Sequence, residues 1–444
     1  MKIQINPLES YVSVKSKFYI SITGATIWTI ISVYLSMPWL SQLVSETNYF
    51  LAFLIVGSIA YIPGWINMLL LLSIFLDNQP NIDGVFPSED ITLLIAAYNE
   101  EAGIYDTLKY LSEQSYKGNL HAIIIDNNST DNTSVEIKRA QKELQRDNLK
   151  IDYLFEPKKG KFNALNSGLT QVATEYVITL DADTILYKEA INNLVARIKC
   201  SQRHIKAVAG AVLVRNSRNS LLARAQEWDY FLSIASVKKM QGLYQGTLVA
   251  QGAFSLYDTK SLREVGGWSD AIGEDIVLSW HLLAKGYSIY FEPTAVAFTA
   301  VPTKFSHFAK QRSRWARGMI EGLRNIKPWE QPNMYYALLT GIDLVIPIID
   351  FGYTFFWIPG LILACFGKFY IVGPASIMVW PITMLTFYIL YFYQKKDVFD
   401  KLRLFVRKNK SGLLAFILGY QLIMSPISFW GYIQELFKFK RTWK

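Results

Sequence analysis

Two long apolar stretches open the chain, residues 17–38 and 49–76, and they carry almost no charge. About 20 such residues suffice to cross a bilayer as a helix, so both are expected to span. The first is expected to be a retained helix and not a cleaved leader, because no small-residue cleavage pattern follows it and a second apolar stretch comes soon after. From about residue 88 to 330 short β-branched runs alternate with amphipathic charged segments, the pattern of an α/β domain with a mostly parallel sheet. Apolar character returns at 336–366, 371–393 and 412–436, each long enough to cross, the first with room to lie partly in the interface. The chain is therefore expected to divide into an N-terminal membrane region (1–87, two transmembrane helices), a central α/β domain (88–330) ending in an interfacial helix, and a C-terminal membrane region (331–444, two to four transmembrane or re-entrant segments).

Composition agrees with two regimes in one chain. At 51% hydrophobic and 18% charged, it is too apolar for an ordinary soluble domain and too polar in its middle for a pure membrane bundle. The formal charge of +9 is concentrated in the segment 395–410 and the tail 438–444. Short basic loops stay cytoplasmic, which places both inside. A single crossing by 412–436 would put the tail outside, whereas Pro426 and Gly431 permit a broken or re-entrant segment that returns it. The Lys and Arg residues flank apolar spans and form no interleaved basic face, which argues against a nucleic-acid partner. Two cysteines, Cys200 and Cys365, and four scattered histidines offer neither a disulfide framework nor a zinc-binding pattern.

Candidate chemistry sits where the central strands are expected to end, which is where parallel sheets place their ligands. The run 91–97 leads into Tyr98-Asn99-Glu100-Glu101, where Tyr98 offers a ring to a base. The run 122–125 leads into Asp126-Asn127-Asn128-Ser129-Thr130-Asp131, side chains that cap the next helix or bind a ribose. Lys159-Gly160-Lys161 opens another helix, and cations at a helix N-terminus call for an anion such as a phosphate. The run 175–180 ends in Asp181-Ala182-Asp183, and two carboxylates projecting alike from a pleated strand suit a divalent cation. Further on come Gln251-Gly252, then Glu274-Asp275 at a helix start, then a basic aromatic helix over 310–324 with Gln311, Arg314, Trp315 and Arg317. That helix suits both a sugar ring and anionic headgroups. The aromatic segment 226–230 either borders the same cleft or packs against the interface.

The ordered set AAYNEE, DNNSTDNT, KGKFNALNSGL, LDADT, GED and QRSRWARG resembles the processive, inverting glycosyltransferases of family 2 over about residues 90–320. Within that family it most resembles bacterial poly-β-1,6-N-acetylglucosamine synthases, with cellulose and hyaluronan synthases nearby. The resemblance implies an α/β nucleotide-sugar-binding domain of the GT-A type, flanked by N- and C-terminal transmembrane helices at the plasma membrane and facing the cytoplasm. It implies that Tyr98, Glu100, Asn127, Lys161 and Asp181 surround a UDP-sugar and that Asp181 and Asp183 face its diphosphate through Mg2+ or Mn2+. Asp275 is implied as general base, with Glu274 its competitor, and Gln251, Glu274, Gln311, Arg314 and Trp315 as contacts to acceptor or leaving group. Arg317 is expected to offset leaving-group charge alongside Arg314. One departure stands out: Asn127 occupies a position where the family commonly has Asp. The implied partners are a UDP-sugar, a polysaccharide or glycolipid acceptor, membrane lipids and a small membrane accessory subunit. The short tail after the last apolar block points to regulation by a separate subunit. Transfer of one sugar to a lipid, polymerisation from UDP-glucose, and a non-catalytic nucleotide-sugar-binding subunit are the alternatives. Asp343 and Asp350, seven residues apart on one helix face, are expected to line a polymer path.

Overall fold

The computed structural model describes residues 12–200, 204–372 and 375–440. Its centre is one eight-stranded sheet: β1 (Ile91–Ala97), β2 (Leu120–Asp126), β3 (Leu149–Phe155), β4 (Tyr176–Leu180), β5 (Ile185–Leu186), β6 (Ile205–Val214), β7 (Phe254–Asp258) and β8 (Ser288–Thr299), in the order β3-β2-β1-β4-β7-β6-β8-β5. β1 pairs in parallel with β2 and β4, and β2 with β3. β7 runs antiparallel to both β4 and β6, while β6 and β8 are parallel.

The near-continuous apolar run of β1 follows from burial on both faces. Alternate side chains face opposite ways along a strand. Ile91, Leu93 and Ile95 pack with Ile104, Leu108 and Leu111 of the helix Ile104–Ser112 and with Ile137 of the helix Thr133–Leu144. Leu94 belongs to the other core, with Ala164, Leu165 and Leu169 of the helix Lys161–Leu169. This layering aligns the C-terminal ends of β1, β2 and β4 along one rim. β7 starts there, since Phe254 pairs with Leu180, so residues 251–253 reach that rim from the opposite direction.

Four helices among the described residues are long and apolar enough to cross a membrane: Val14–Glu46, Tyr49–Leu76, Met334–Cys365 and Lys410–Leu436. The expected span at 371–393 corresponds to the helix Ala375–Gln394, with residues 373–374 outside the described residues. The N-terminal pair is bolted to the sheet domain: Lys239 pairs with Asp77 at 2.7 Å, and the Ser73 and Tyr244 hydroxyls bond at 2.7 Å.

The C-terminal segment differs from expectation. Lys410–Leu436 is helical throughout, with one π turn at Phe416–Tyr420, and neither Pro426 nor Gly431 breaks it. Gly431 serves close packing instead: a Cβ there would lie 2.6 Å from the Ser313 carbonyl and 2.8 Å from the Ala316 Cβ, so the helix Phe305–Asn325 lies directly against it. The tail beyond residue 440 is outside the described residues. Asp350 is buried and accepts bonds from the Ser425 and Tyr432 hydroxyls, both at 2.7 Å. Its carboxylate thus ties two helices together, which corrects the expectation that it lines an open path. Asp343, half-buried on the same helix, is not placed on a path by any such contact.

Candidate active site

At the β1 and β2 ends, two loops knit together. Asn99 takes a left-handed conformation, φ 54°, which Asn tolerates better than most residues. Its side-chain oxygen accepts from the Thr130 amide at 2.8 Å, and the Glu100 amide donates to the Thr133 hydroxyl at 2.8 Å. Tyr98 faces the Lys159-Gly160-Lys161 loop: the Lys159 ammonium lies 5.1 Å from its ring centroid and donates to its hydroxyl at 3.2 Å.

Asn127 is buried, and its amide is already committed. The Nδ2 group donates to the carbonyls of Lys158 at 2.6 Å and Glu156 at 3.2 Å, while Oδ1 accepts from the Gly160 amide at 2.7 Å. Its side chain therefore shapes the lysine loop, and any contact with a nucleotide is made through that loop. Asp126 is similarly engaged, accepting from the Ser129 amide and the Tyr153 hydroxyl, both at 3.0 Å.

The acidic pair does not project from a strand. β4 ends at Leu180, and residues 181–184 form a turn closed by the Thr184 amide on the Asp181 carbonyl at 3.1 Å. Lys161 reaches this turn, its ammonium 2.5 Å from Asp181 Oδ1 and 3.8 Å from Glu274 Oε1. Burial works against the Lys161 charge, but Asp181 and Glu274 outweigh it and hold its pKa above the ordinary lysine value. Asp183 accepts from the Thr184 and Thr299 hydroxyls at 3.3 Å, and its carboxyl is pushed up by burial and then by the Asp181 charge. Two neighbouring carboxylates, of which only Asp181 is matched by a lysine, fit a hard divalent cation such as Mg2+ or Mn2+. Among the described residues no group of three or more His, Cys, Asp or Glu is arranged to hold an ion, so its other ligands would come from diphosphate or water.

The helix Glu274–Ala284 brings the other two acids to the rim. Consecutive helical side chains diverge by about 100°. Glu274 is buried toward Lys161, and burial lifts its carboxyl to about 7, with Lys161 pulling it down and Asp275 pushing it further up. Asp275 is the more open of the two and accepts from the Gly252 amide at 3.3 Å. A Cβ at Gly252 would lie 2.8 Å from the Lys161 ammonium, so this loop lies directly over the end of that lysine.

The Gln251 side chain is already engaged at both ends. Its Nε2 donates to the Gly210 carbonyl at 2.7 Å, and its Oε1 accepts from Lys238. The rim thus offers the Gly252 backbone where the sequence suggested the Gln251 side chain. Lys238 itself is a site neighbour that sequence reasoning missed. It is buried, its ammonium bonds the Val249 carbonyl at 3.1 Å, and burial drags its pKa down to about 7 against the pull of Asp275. Nothing in the run Ala235–Leu243 distinguishes it from a solvated lysine.

On the helix Phe305–Asn325, Arg314 is exposed and its charge bears on Glu274, Trp315 is 37% exposed, and the Gln311 side-chain oxygen is buried without a hydrogen-bond partner. Arg317 is a correction: it pairs with Glu435 at 3.0 Å and donates to the Phe439 carbonyl at 2.9 Å, so its charge is spent on the C-terminal helix. Arg312, not singled out from sequence, is buried beneath Trp315.

Residues 92–266 match the family model described as glycosyl transferase family 2. The chain is 35% identical to a protein named poly-beta-1,6-N-acetyl-D-glucosamine synthase from Staphylococcus aureus, over 62% of this chain and 66% of that one. It is 36% identical to the protein of that name from Staphylococcus epidermidis, over 53% and 56%. The matched region thus spans just under two thirds of the first relative's length. A mannosyltransferase from Pyrobaculum calidifontis, solved with GDP-Man and Mn2+, superposes with a TM-score of 0.60 over 90% of this chain and all of its own, at 18% identity, which speaks for a shared fold. The motifs, the sheet order and these likenesses converge, and residues 92–266 are a glycosyltransferase domain of family 2.

Proposed function

We propose that the protein is a membrane-embedded processive glycosyltransferase that moves N-acetylglucosamine from UDP-N-acetylglucosamine onto a growing β-linked polysaccharide, with inversion. The observation that carries this reading is the convergence of Lys161, Asp181, Glu274, Asp275 and the Gly252 backbone at one rim, beside a helix packed against an apolar one. The synthase names of the relatives support the choice of sugar.

In this reading the lysine loop and Tyr98 hold the nucleotide, and the Lys161 cation faces the diphosphate. An acceptor hydroxyl is a weak nucleophile at neutral pH, so a carboxylate within hydrogen-bond reach must take its proton. Asp275 fits that role because it is more open than Glu274 and its carboxylate already points to the acceptor loop. As the hydroxyl oxygen bonds to C1 from the face opposite the diphosphate, the C1–O bond to UDP breaks with its electron pair and the proton passes to Asp275. Glu274 and Lys161 fix the charge balance beneath, and Arg314 adds positive charge beside the leaving group. A divalent ion held by Asp181 and Asp183 would neutralise charge on the diphosphate. Trp315 offers its face to the acceptor sugar, and the catalytic domain lies on the cytoplasmic side, where nucleotide sugars are made.

The test is incubation of the detergent-purified protein with Mg2+ or Mn2+ and radiolabelled UDP-N-acetylglucosamine or UDP-glucose, followed by sizing of the product. High-mass product from UDP-N-acetylglucosamine, lost in Asp275→Asn, is the expected result. A lipid carrying one sugar, or no transfer from either donor, would overturn the reading.

A further inference from the structure

Arg312, on the helix Phe305–Asn325, is 2% exposed, yet its guanidinium is paired on one side, at Nη2. Its Nη2 donates to Asp229 Oδ2 at 3.1 Å and to the Tyr420 hydroxyl at 2.9 Å, and the Tyr420 hydroxyl donates to the same Asp229 oxygen at 2.8 Å. The guanidinium carbon lies 4.0 Å from the Trp315 ring centroid and 5.7 Å from that of Tyr230. Arg312 and Trp315 are three positions apart, hence neighbours on one helix face. Three elements meet here: the acceptor-side helix, the segment Asp229–Ile234, and the apolar helix Lys410–Leu436 through Tyr420.

Burying an ion pair brings little net stability, because desolvation offsets most of the attraction. The geometric consequence is more definite. A guanidinium carbon 4.0 Å from the indole centroid is well within cation–π range, so the Arg312 cation lies directly against one side of the Trp315 ring. Lysine cannot reproduce it, since its ammonium is a point charge without a plane.

We propose that Arg312 is a positioning residue for Trp315: held by Asp229 and Tyr420, it fixes the plane of the indole ring and makes that plane depend on the seating of the Lys410–Leu436 helix. The functional part rests on the reading that Trp315 receives the acceptor sugar. Arg312→Lys keeps the charge and removes the plane, while Tyr420→Phe removes one of the two bonds that orient it.

The experiment uses the full chain in detergent, labelled with 5-fluorotryptophan, the Trp315 line being assigned by its loss in Trp315→Phe. The expected result is that Arg312→Lys and Tyr420→Phe both move or broaden that line. Each should also raise KM for an N-acetylglucosamine oligosaccharide acceptor about tenfold, with KM for the UDP-sugar within twofold of the parent. A Trp315 line unmoved in both variants overturns the proposal whatever the kinetics. A moved line with unchanged acceptor KM overturns the functional part. Absence of transfer by the parent enzyme overturns the proposed function instead and leaves the fluorine spectrum to decide the positioning.

Discussion

Adding one methyl group at Gly318 tests how tightly the proposed base, Asp275, and the helix Phe305–Asn325 are registered. Gly318 and Gly273 meet backbone to backbone: a Cβ at Gly318 would lie 2.8 Å from the Gly273 Cα and 3.1 Å from its amide nitrogen. Neither atom belongs to a flexible side chain, so the helices themselves must part. Restoring even a tight 3.4 Å contact takes a shift of about 0.6 Å. Alanine gains about 1 kcal/mol over glycine in a helix interior, while overpacking costs about 1–3 kcal/mol, so the net loss of stability is about 0–2 kcal/mol. Catalysis is less forgiving, because a displacement of about 1 Å costs on the order of 100-fold. Gly318→Ala should therefore lower kcat about tenfold or more while Tm falls by only a few degrees and UDP binding is kept. Sugar incorporation, thermal melting and UDP titration measure the three. Gly419→Ala, whose Cβ meets nothing within 4 Å, is the control and should leave turnover unchanged. Turnover of Gly318→Ala within twofold of the parent would refute the reasoning.

Asp275→Asn should cut turnover by about 100- to 10,000-fold, the range for a lost general base, with UDP-sugar affinity within about twofold by calorimetry. Asn127→Ala leaves the Gly160 amide and two carbonyls without their partner, and should lower stability by about 1–3 kcal/mol in denaturant melts and weaken UDP binding through the loosened lysine loop. Glu274 has a carboxyl raised from 4.5 to about 7, so the folded protein holds its proton more tightly than the unfolded chain does. Its contribution therefore favours folding at low pH and is lost as pH rises from about 4.5 to 7; Glu274→Gln should flatten that part of the Tm–pH curve, by up to about 3 kcal/mol across the window. Stripping divalent ions with EDTA should abolish transfer and Mn2+ or Mg2+ should restore it, with Asp183→Asn needing a higher ion concentration; transfer unaffected by EDTA would count against the acidic pair as an ion site.

The rim was legible because parallel strands announce themselves as unbroken apolar runs and their polar ends fall together; Tyr98, Lys161 and Asp181 lie at that rim. The turn at 181–184 was not legible, since a strand and a tight turn both bring two nearby carboxylates together. Arg317 and Gln251 went astray for one reason. Their residue types suit a ligand, but their partners, Glu435 and the buried Lys238, are 118 and 13 residues away in sequence, and no local pattern encodes such pairings. Gly431 misled in the same way, reading as a helix breaker because a long-range neighbour, Ser313, is what calls for a glycine there.

The seating of the Lys410–Leu436 helix along Phe305–Asn325 also bears on how the protein should be handled. One face of the first four strands packs with residues between Ile91 and Ala297, whereas the helix Phe305–Asn325 borrows its support from Tyr420, Gly431 and Glu435, far along the chain. A fragment trimmed near residue 330 for solubility would discard that support while keeping the nucleotide half intact. Harsh detergents that loosen the helix should act likewise, giving a preparation that still takes up UDP but no longer transfers sugar, so nucleotide binding alone is a poor certificate of an intact enzyme.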